Sequence, residues 1–229
     1  MEKNIGRTNL KNEVLRLLKL PDFDTALDKL SNLPPRRVIN TLIASLCNDD
    51  EEIKWKAVTS IGFVVSNIAL KDMESARIIM RRLMWNLNDE SGGIGWGVPE
   101  AMGAIMACHQ GLAEEFAHIL ISYIREDGNY IEHQPLQRGI IWGIGRLAQI
   151  RPHILQEKGA VNAILPYIKS SDPTIRALVV WTLGLLGVGK SYPELEALLT
   201  DNTEIKIYKD RQLGIRRVSE IALEALGTN

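Results

Sequence analysis

The sequence predicts an all-α fold in which helix pairs stack into a solenoid, with one small β-hairpin inserted near residues 203–217. Three observations lead there. Five segments share an apolar residue, a second four on, a third eight on, and Gly directly after it; they start at Ile53, Ile94, Leu136, Ile175 and Val218. Successive starts differ by 41, 42, 39 and 43 residues, and a fixed period near this length marks a repeat architecture. The spacing 0, +4, +8 is the buried stripe of a helix and not the alternation of a strand.

The elements follow in order. Residues 8–31 (TNLKNEVLRLLKLPDFDTALDKLS) read as a degenerate helix pair, so 1–33 form an N-terminal cap and 34–229 the repeats of a single domain. A first helix precedes each striped one: PPRRVINTLIASLC (34–47), MESARIIMRRLMWNL (73–87), LAEEFAHILISYI (112–124) and EKGAVNAILPYIKS (157–170) all carry apolar residues at helical spacing. The linkers NDDEE, NDESGG and SSDPT supply the Asp, Ser, Gly and Pro that stop one helix and cap the next.

Three places break the pattern. In DESGGIGWGVPEAMG (89–103), Pro99 lacks an N–H and fits only the first turn of a helix, so the helix starts near Gly95 to Gly97. The glycine-rich loop 91–97 then either makes a tight turn between repeats or offers free N–H groups to an anion. In REDGNYIEHQP (125–135) the connection is five residues longer than in the other repeats. In DNTEIKIYKDRQLGIRR (201–217), EIKIY alternates apolar and polar residues, KDRQ can turn and LGIRR can return, which reads as a hairpin between the helices of the last pair.

A helix pair recurring about every 40 residues, with Asp in the turn and Gly late in the second helix, resembles the HEAT repeat family over roughly residues 34–229. The resemblance implies a right-handed α-solenoid of about five HEAT-like pairs whose second helices line a concave surface. It leaves function open, because HEAT arrays serve many ends.

The repeat also settles a motif. Gly184, Gly189, Lys190 and Ser191 have the spacing of a phosphate-cradling loop. Such a loop needs a strand before it and a helix starting at the Lys-Ser, so that backbone N–H groups surround the phosphates. Here Gly184 is the glycine that each repeat carries, equivalent to Gly62, Gly103, Gly145 and Gly227. Gly187 to Gly189 reads as a helix stop, and no nucleotide or other cofactor is expected.

Helical geometry supplies the candidate site. Positions +2, +6 and +10 of each striped helix fall at about 200°, 240° and 280° on the helical wheel, opposite the core direction. Polar residues belong there, yet Trp55, Trp96, Trp142 and Trp181 occupy them, together with Glu100, Arg138 and Arg146. On the resemblance this ridge faces the concave groove, and Trp and Arg are the residues enriched at interaction hot spots. Trp96, Trp142 and Trp181 are expected to expose part of their rings there, with Glu100 and Arg138 meeting at its floor. The alternative is that the indoles pack between neighbouring repeats and close the groove.

Composition limits the partners. Lys and Arg number 27 against 28 Asp and Glu, a formal charge of −1, which argues against a nucleic-acid partner or an anionic membrane. No apolar run approaches the ~20 residues of a spanning helix. Two cysteines, Cys47 and Cys108, make no disulfide framework, and MEKNIGRTNLKNEV lacks an apolar signal core, so a cytoplasmic protein is expected. Cys108, His109 and His118 show no metal-ligand spacing.

The leading expectation is therefore a non-catalytic scaffold holding a protein or peptide segment in an aromatic-lined groove. The alternative is an enzyme. HEAT-like alkylpurine DNA glycosylases use Trp, an acidic residue and Arg in their groove, and Trp96, Glu100 and Arg138 resemble that set, but the basic excess of a DNA-binding groove is missing. Deoxyhypusine hydroxylases carry His-Glu pairs, which this sequence lacks. Nothing singles out the bilin lyases that share the repeat.

Overall fold

The computed structural model describes residues 7–87 and 95–227. A capping pair, α1 (Arg7–Leu18) and α2 (Phe23–Ser31), precedes the repeats. The pairs that follow are α3 (Pro35–Ser45) with α4 (Glu51–Ala69), α5 (Met73–Leu87) with α6 (Val98–Cys108), and α7 (Gln110–Ser122) with α8 (Gln134–Ala148). The next first helix is broken into α9 (Pro152–Glu157) and α10 (Ala160–Ile164), and α10 runs on as a 3-10 turn over Leu165–Lys169 before α11 (Pro173–Leu185). Short 3-10 segments at Gly189–Ser191 and Pro193–Thr200 lead to β1 (Glu204–Lys209), β2 (Gln212–Arg217) and the last helix, α12 (Val218–Ala225).

The expected helix at 157–170 is therefore replaced by two short ones and a tightened turn. Gly159 takes a left-handed φ of 69° between α9 and α10, which ends one helix before the next begins. Pro166, with no N–H to donate, sits where the turn tightens to 3-10. The linker aspartates act as the caps that their positions imply. Asp50 accepts from the Glu52 and Ile53 amides, and Asp172 from those of Thr174 and Ile175, each satisfying N–H groups that the helix itself leaves orphaned. The linker at 88–93 and the anchor at Ile94 lie outside the described residues, and so does most of the 91–97 loop. Its end is described: Gly97, with φ 71°, precedes α6, and Pro99 falls in the first turn as expected.

The second helices stack in sequence, α4 on α6, α6 on α8, α8 on α11 and α11 on α12, with the first helices behind them. One apolar core runs from Leu10 to Leu226. The repeat glycine explains how closely this layer packs. A Cβ on Gly103 would lie 2.4 Å from the Gly143 Cα, one on Gly62 2.8 Å from the Ala104 carbonyl oxygen, and one on Gly184 2.6 Å from the Ala225 Cβ. Each is shorter than a real Cβ contact, so the missing side chain is what lets adjacent helices touch. Gly227 differs: it follows α12 with φ 61° and stops the helix.

The segment read against a phosphate loop is helical through Leu185, and the two strands described both belong to the hairpin. They pair antiparallel from Glu204 with Arg217 to Lys209 with Gln212. Asp210 and Arg211, both at positive φ (52° and 63°), make the two-residue turn, the primed geometry whose twist suits a hairpin.

Candidate binding groove

The hairpin does not project into solvent. It lies across the exposed side of the second-helix layer, over the ridge of tryptophans. Ile205 and Ile207 are buried on one face of β1, and Tyr208, on the opposite face, is buried as well. The Tyr208 ring stacks on Trp55, with centroids 4.7 Å apart and planes 9° from parallel, and its hydroxyl lies 3.0 Å from that of Thr59. The Trp142 indole Nε1–H donates to the Tyr208 carbonyl at 2.7 Å. Polar contacts fix the rest: Lys206 pairs with Glu51, Lys209 with Glu224, Arg211 with Asp24, and Gln149 reaches Asp210. Full burial of one large apolar side chain is worth about 1.5–3 kcal/mol, so three of them hold the hairpin as a fixed wall.

This arrangement corrects the expected exposure of the ridge. Trp142 and Trp181 are 4% and 5% exposed. Trp142 is covered by the hairpin, while the Trp181 ring packs where a side chain on Gly145 would stand, 2.4 Å from the Cβ that glycine lacks. Trp55 is half-buried under Tyr208. Only Trp96 keeps substantial exposure, 37%, with its ring edge-on to His133 at 5.6 Å. The wheel set these indoles opposite the core, whereas Trp142 and Trp181 are part of it. It had no means of including the hairpin, which arrives from the far end of the chain.

The charged members of the ridge also find other partners. Arg138 donates from Nε to Asp172 at 2.5 Å, tying α8 to the cap of α11. Glu100 is buried, and the Lys54 ammonium is 3.6 Å away. Burial pushes the Glu100 carboxyl above its ordinary range, against the pull of Lys54. Glu100 and Arg138 therefore border one cavity without pairing. Arg146 is half-buried and donates to the neutral Gln149 side chain at 2.9 Å.

Tyr208 and its strand divide the groove into two cavities. One, of about 270 Å³, is bordered by Trp55, Trp96, Glu100, Arg138, Leu136 and Lys206. The other, of about 260 Å³, is bordered by Thr59, Cys108, Trp142, Arg146, Trp181 and Tyr208. Both are of side-chain size. Among the described residues no group of three or more His, Cys, Asp or Glu is placed to hold a metal ion, and no helix is long and apolar enough to cross a membrane.

Residues 134–186, which span α8 to α11, match the family model described as HEAT-like repeat. The chain has the fold of HEAT/armadillo-type repeat proteins. Solved structures similar to it include two engineered proteins, at 15% identity with 95% of each chain covered (TM-score 0.53), and at 14% with 96% and 99% covered (TM-score 0.50). A designed armadillo repeat protein in complex with the peptide (KR)4 is similar at 17% identity, with 95% of this chain and 99% of that chain covered (TM-score 0.51). No curated protein matches the chain in sequence. Within this fold, Tyr208 on the hairpin and Trp85 both escaped the sequence reading. Trp85 is 74% exposed on α5, in the other helix layer. Its place in a first helix, off the repeat's second-helix pattern, was the signal available.

Proposed function

We propose that this repeat protein is a non-catalytic scaffold that holds a protein or peptide segment against its second-helix layer, in the groove bordered by Trp55, Trp96, Glu100, Arg138, Trp142, Arg146 and Trp181. The observation that carries the reading is the hairpin itself. An extended strand already lies in this groove, gripped by an indole N–H on its carbonyl and by an aromatic stack on its tyrosine. Those are the contacts by which a groove holds extended backbone, with main-chain bonds giving affinity and pockets receiving side chains. A partner segment places side chains into the two cavities beside Tyr208, and Trp96 is the ring with most surface left to cover. The fold is one that a designed armadillo protein uses around a peptide. Glu100 and Arg138 each hold a different partner, Lys54 and Asp172, which favours the scaffold reading over a Trp/Glu/Arg catalytic set.

Selection of a random peptide library on the immobilised protein, followed by titration of the enriched sequences, tests this. Peptides whose binding weakens by about 2 kcal/mol in Trp96→Ala, as for a hot-spot tryptophan, support the groove. Binding that is untouched by Trp96→Ala and by substitutions at Lys206 and Arg138 removes it.

A further inference from the structure

The cavity beside the hairpin turn has an unusual balance of donors and acceptors. Its cations are Arg146, Lys209 and Arg211, and its single carboxylate is that of Asp210. Lys209 is neutralised by Glu224 and Arg211 by Asp24. Arg146 is not neutralised: among the described residues its side chain meets only the amide oxygen of Gln149, which leaves most of the five guanidinium N–H donors unused. Trp181 forms part of the same wall, and its Nε1–H, buried, meets no acceptor among the described residues. Buried polar groups are ordinarily hydrogen-bonded, so this indole N–H is a sensitive reporter beside the cavity. The field of these groups reaches across the cavity. Burial raises the Tyr208 phenol, while the Thr59 hydroxyl, Arg211 and Arg146 act to lower it.

We infer that this cavity is a carboxylate site, built from the Arg146 guanidinium and the Trp181 wall, which receives an acidic side chain of the bound segment. The inference rests on the groove reading given above and names the partner chemistry it lacks. A guanidinium fork matches a carboxylate in geometry. Of the cavity's cations only Arg146 has no ion pair among the described residues, the Asp210 carboxylate reaching it through Gln149 and not directly, so the site suits at most a singly charged carboxylate over a doubly charged phosphate. The cavity, at about 260 Å³, accommodates an Asp or Glu side chain and little more. The other cavity differs in kind, since its Lys54, Arg138 and Lys206 are already paired with Glu100, Asp172 and Glu51.

The test uses the indole N–H resonances of the intact ¹⁵N-labelled protein, with Trp181 assigned through Trp181→Phe. Butyrate, a singly charged stand-in for a Glu side chain, is titrated at constant ionic strength, with chloride as reference and inorganic phosphate in a parallel series. The expected result is a saturable movement of the Trp181 resonance with butyrate. Its midpoint rises about tenfold or more in Arg146→Gln, as the loss of a charge-assisted bond implies, and is unchanged in Arg125→Gln on a distant loop. Should Arg146→Gln fail to fold, Arg146→Lys keeps the charge but loses the fork, and the same weakening is expected. No saturable movement, equal movement in the Arg146 variants, or saturation by phosphate in preference to butyrate overturns the inference. Selected peptides that bind with no carboxylate, while butyrate leaves Trp181 unmoved, remove the carboxylate site alone and leave the groove standing.

Discussion

Tyr208 stacks on Trp55 with ring planes 9° from parallel, and through this contact the last repeat of the chain closes over the first complete one. The pair is more than a local aromatic contact, because the tyrosine carbonyl accepts from Trp142 and its hydroxyl meets Thr59. Three elements, β1, α4 and α8, are thus tied by one residue. Loss of the ring in Tyr208→Ala is expected to destabilise by about 3–5 kcal/mol, the range for a buried aromatic. Tyr208→Phe keeps the stack and forfeits the hydroxyl contact, at about 1 kcal/mol. Urea unfolding followed by tryptophan emission measures both, and equal effects would assign the hairpin's hold to the hydroxyl and not to the ring.

The tryptophans of the ridge are expected to separate into two groups. Trp142→Ala and Trp181→Ala empty buried sites and cost about 3–5 kcal/mol each in thermal or urea melts. Trp96→Ala, at a ring 37% exposed, costs less than about 1.5 kcal/mol and shows its effect in partner binding instead. A large stability loss in Trp96→Ala would reassign it to packing with the other two.

The contact between α6 and α8 leaves no room for a side chain. Gly103→Ala puts a methyl 2.4 Å from the Gly143 Cα, backbone against backbone, so the helices must part, at about 1–3 kcal/mol or more. Gly214→Ala in the hairpin meets nothing within 4 Å and is expected to be near neutral. Melting temperatures of the two variants, one methyl each, compare the sites directly.

Glu100 makes stability depend on pH. Burial raises its folded pKa above the ordinary 4.5, so below 4.5 the carboxyl is neutral in both states and no penalty arises. As pH rises from there, the unfolded chain ionises first. The folded state loses stability relative to it until the folded carboxyl also ionises. The melting temperature of wild type minus that of Glu100→Gln is therefore expected to fall as pH is raised from 4.5 towards neutrality. A difference that rises over this window would mean that Lys54 outweighs the burial.

The sequence by itself determined the repeat. The stripe at Ile53, Ala57 and Ile61, with Gly62 behind it, fixes a helix and its buried face, because both depend on residues within a few turns of each other, and recurrence of the stripe about every 40 residues sets its place in the array. Asp50 and Asp172 as caps, Pro99 in a first turn and the hairpin at 204–217 were legible for the same reason. That Trp55, Trp96, Trp142 and Trp181 share one ridge of the second helices was the expectation, but Trp142 and Trp181 belong to the core. What covers them was decided only by the tertiary structure. Burial at Trp142 comes from a strand in the last repeat, and burial at Trp181 from the closeness that Gly145 allows. The partners of Glu100 and Arg138 were likewise set across repeats, by Lys54 on α4 and Asp172 at the start of α11. A helical wheel orders residues around one axis, whereas these contacts depend on the distance between axes and on where a distant insertion comes to rest.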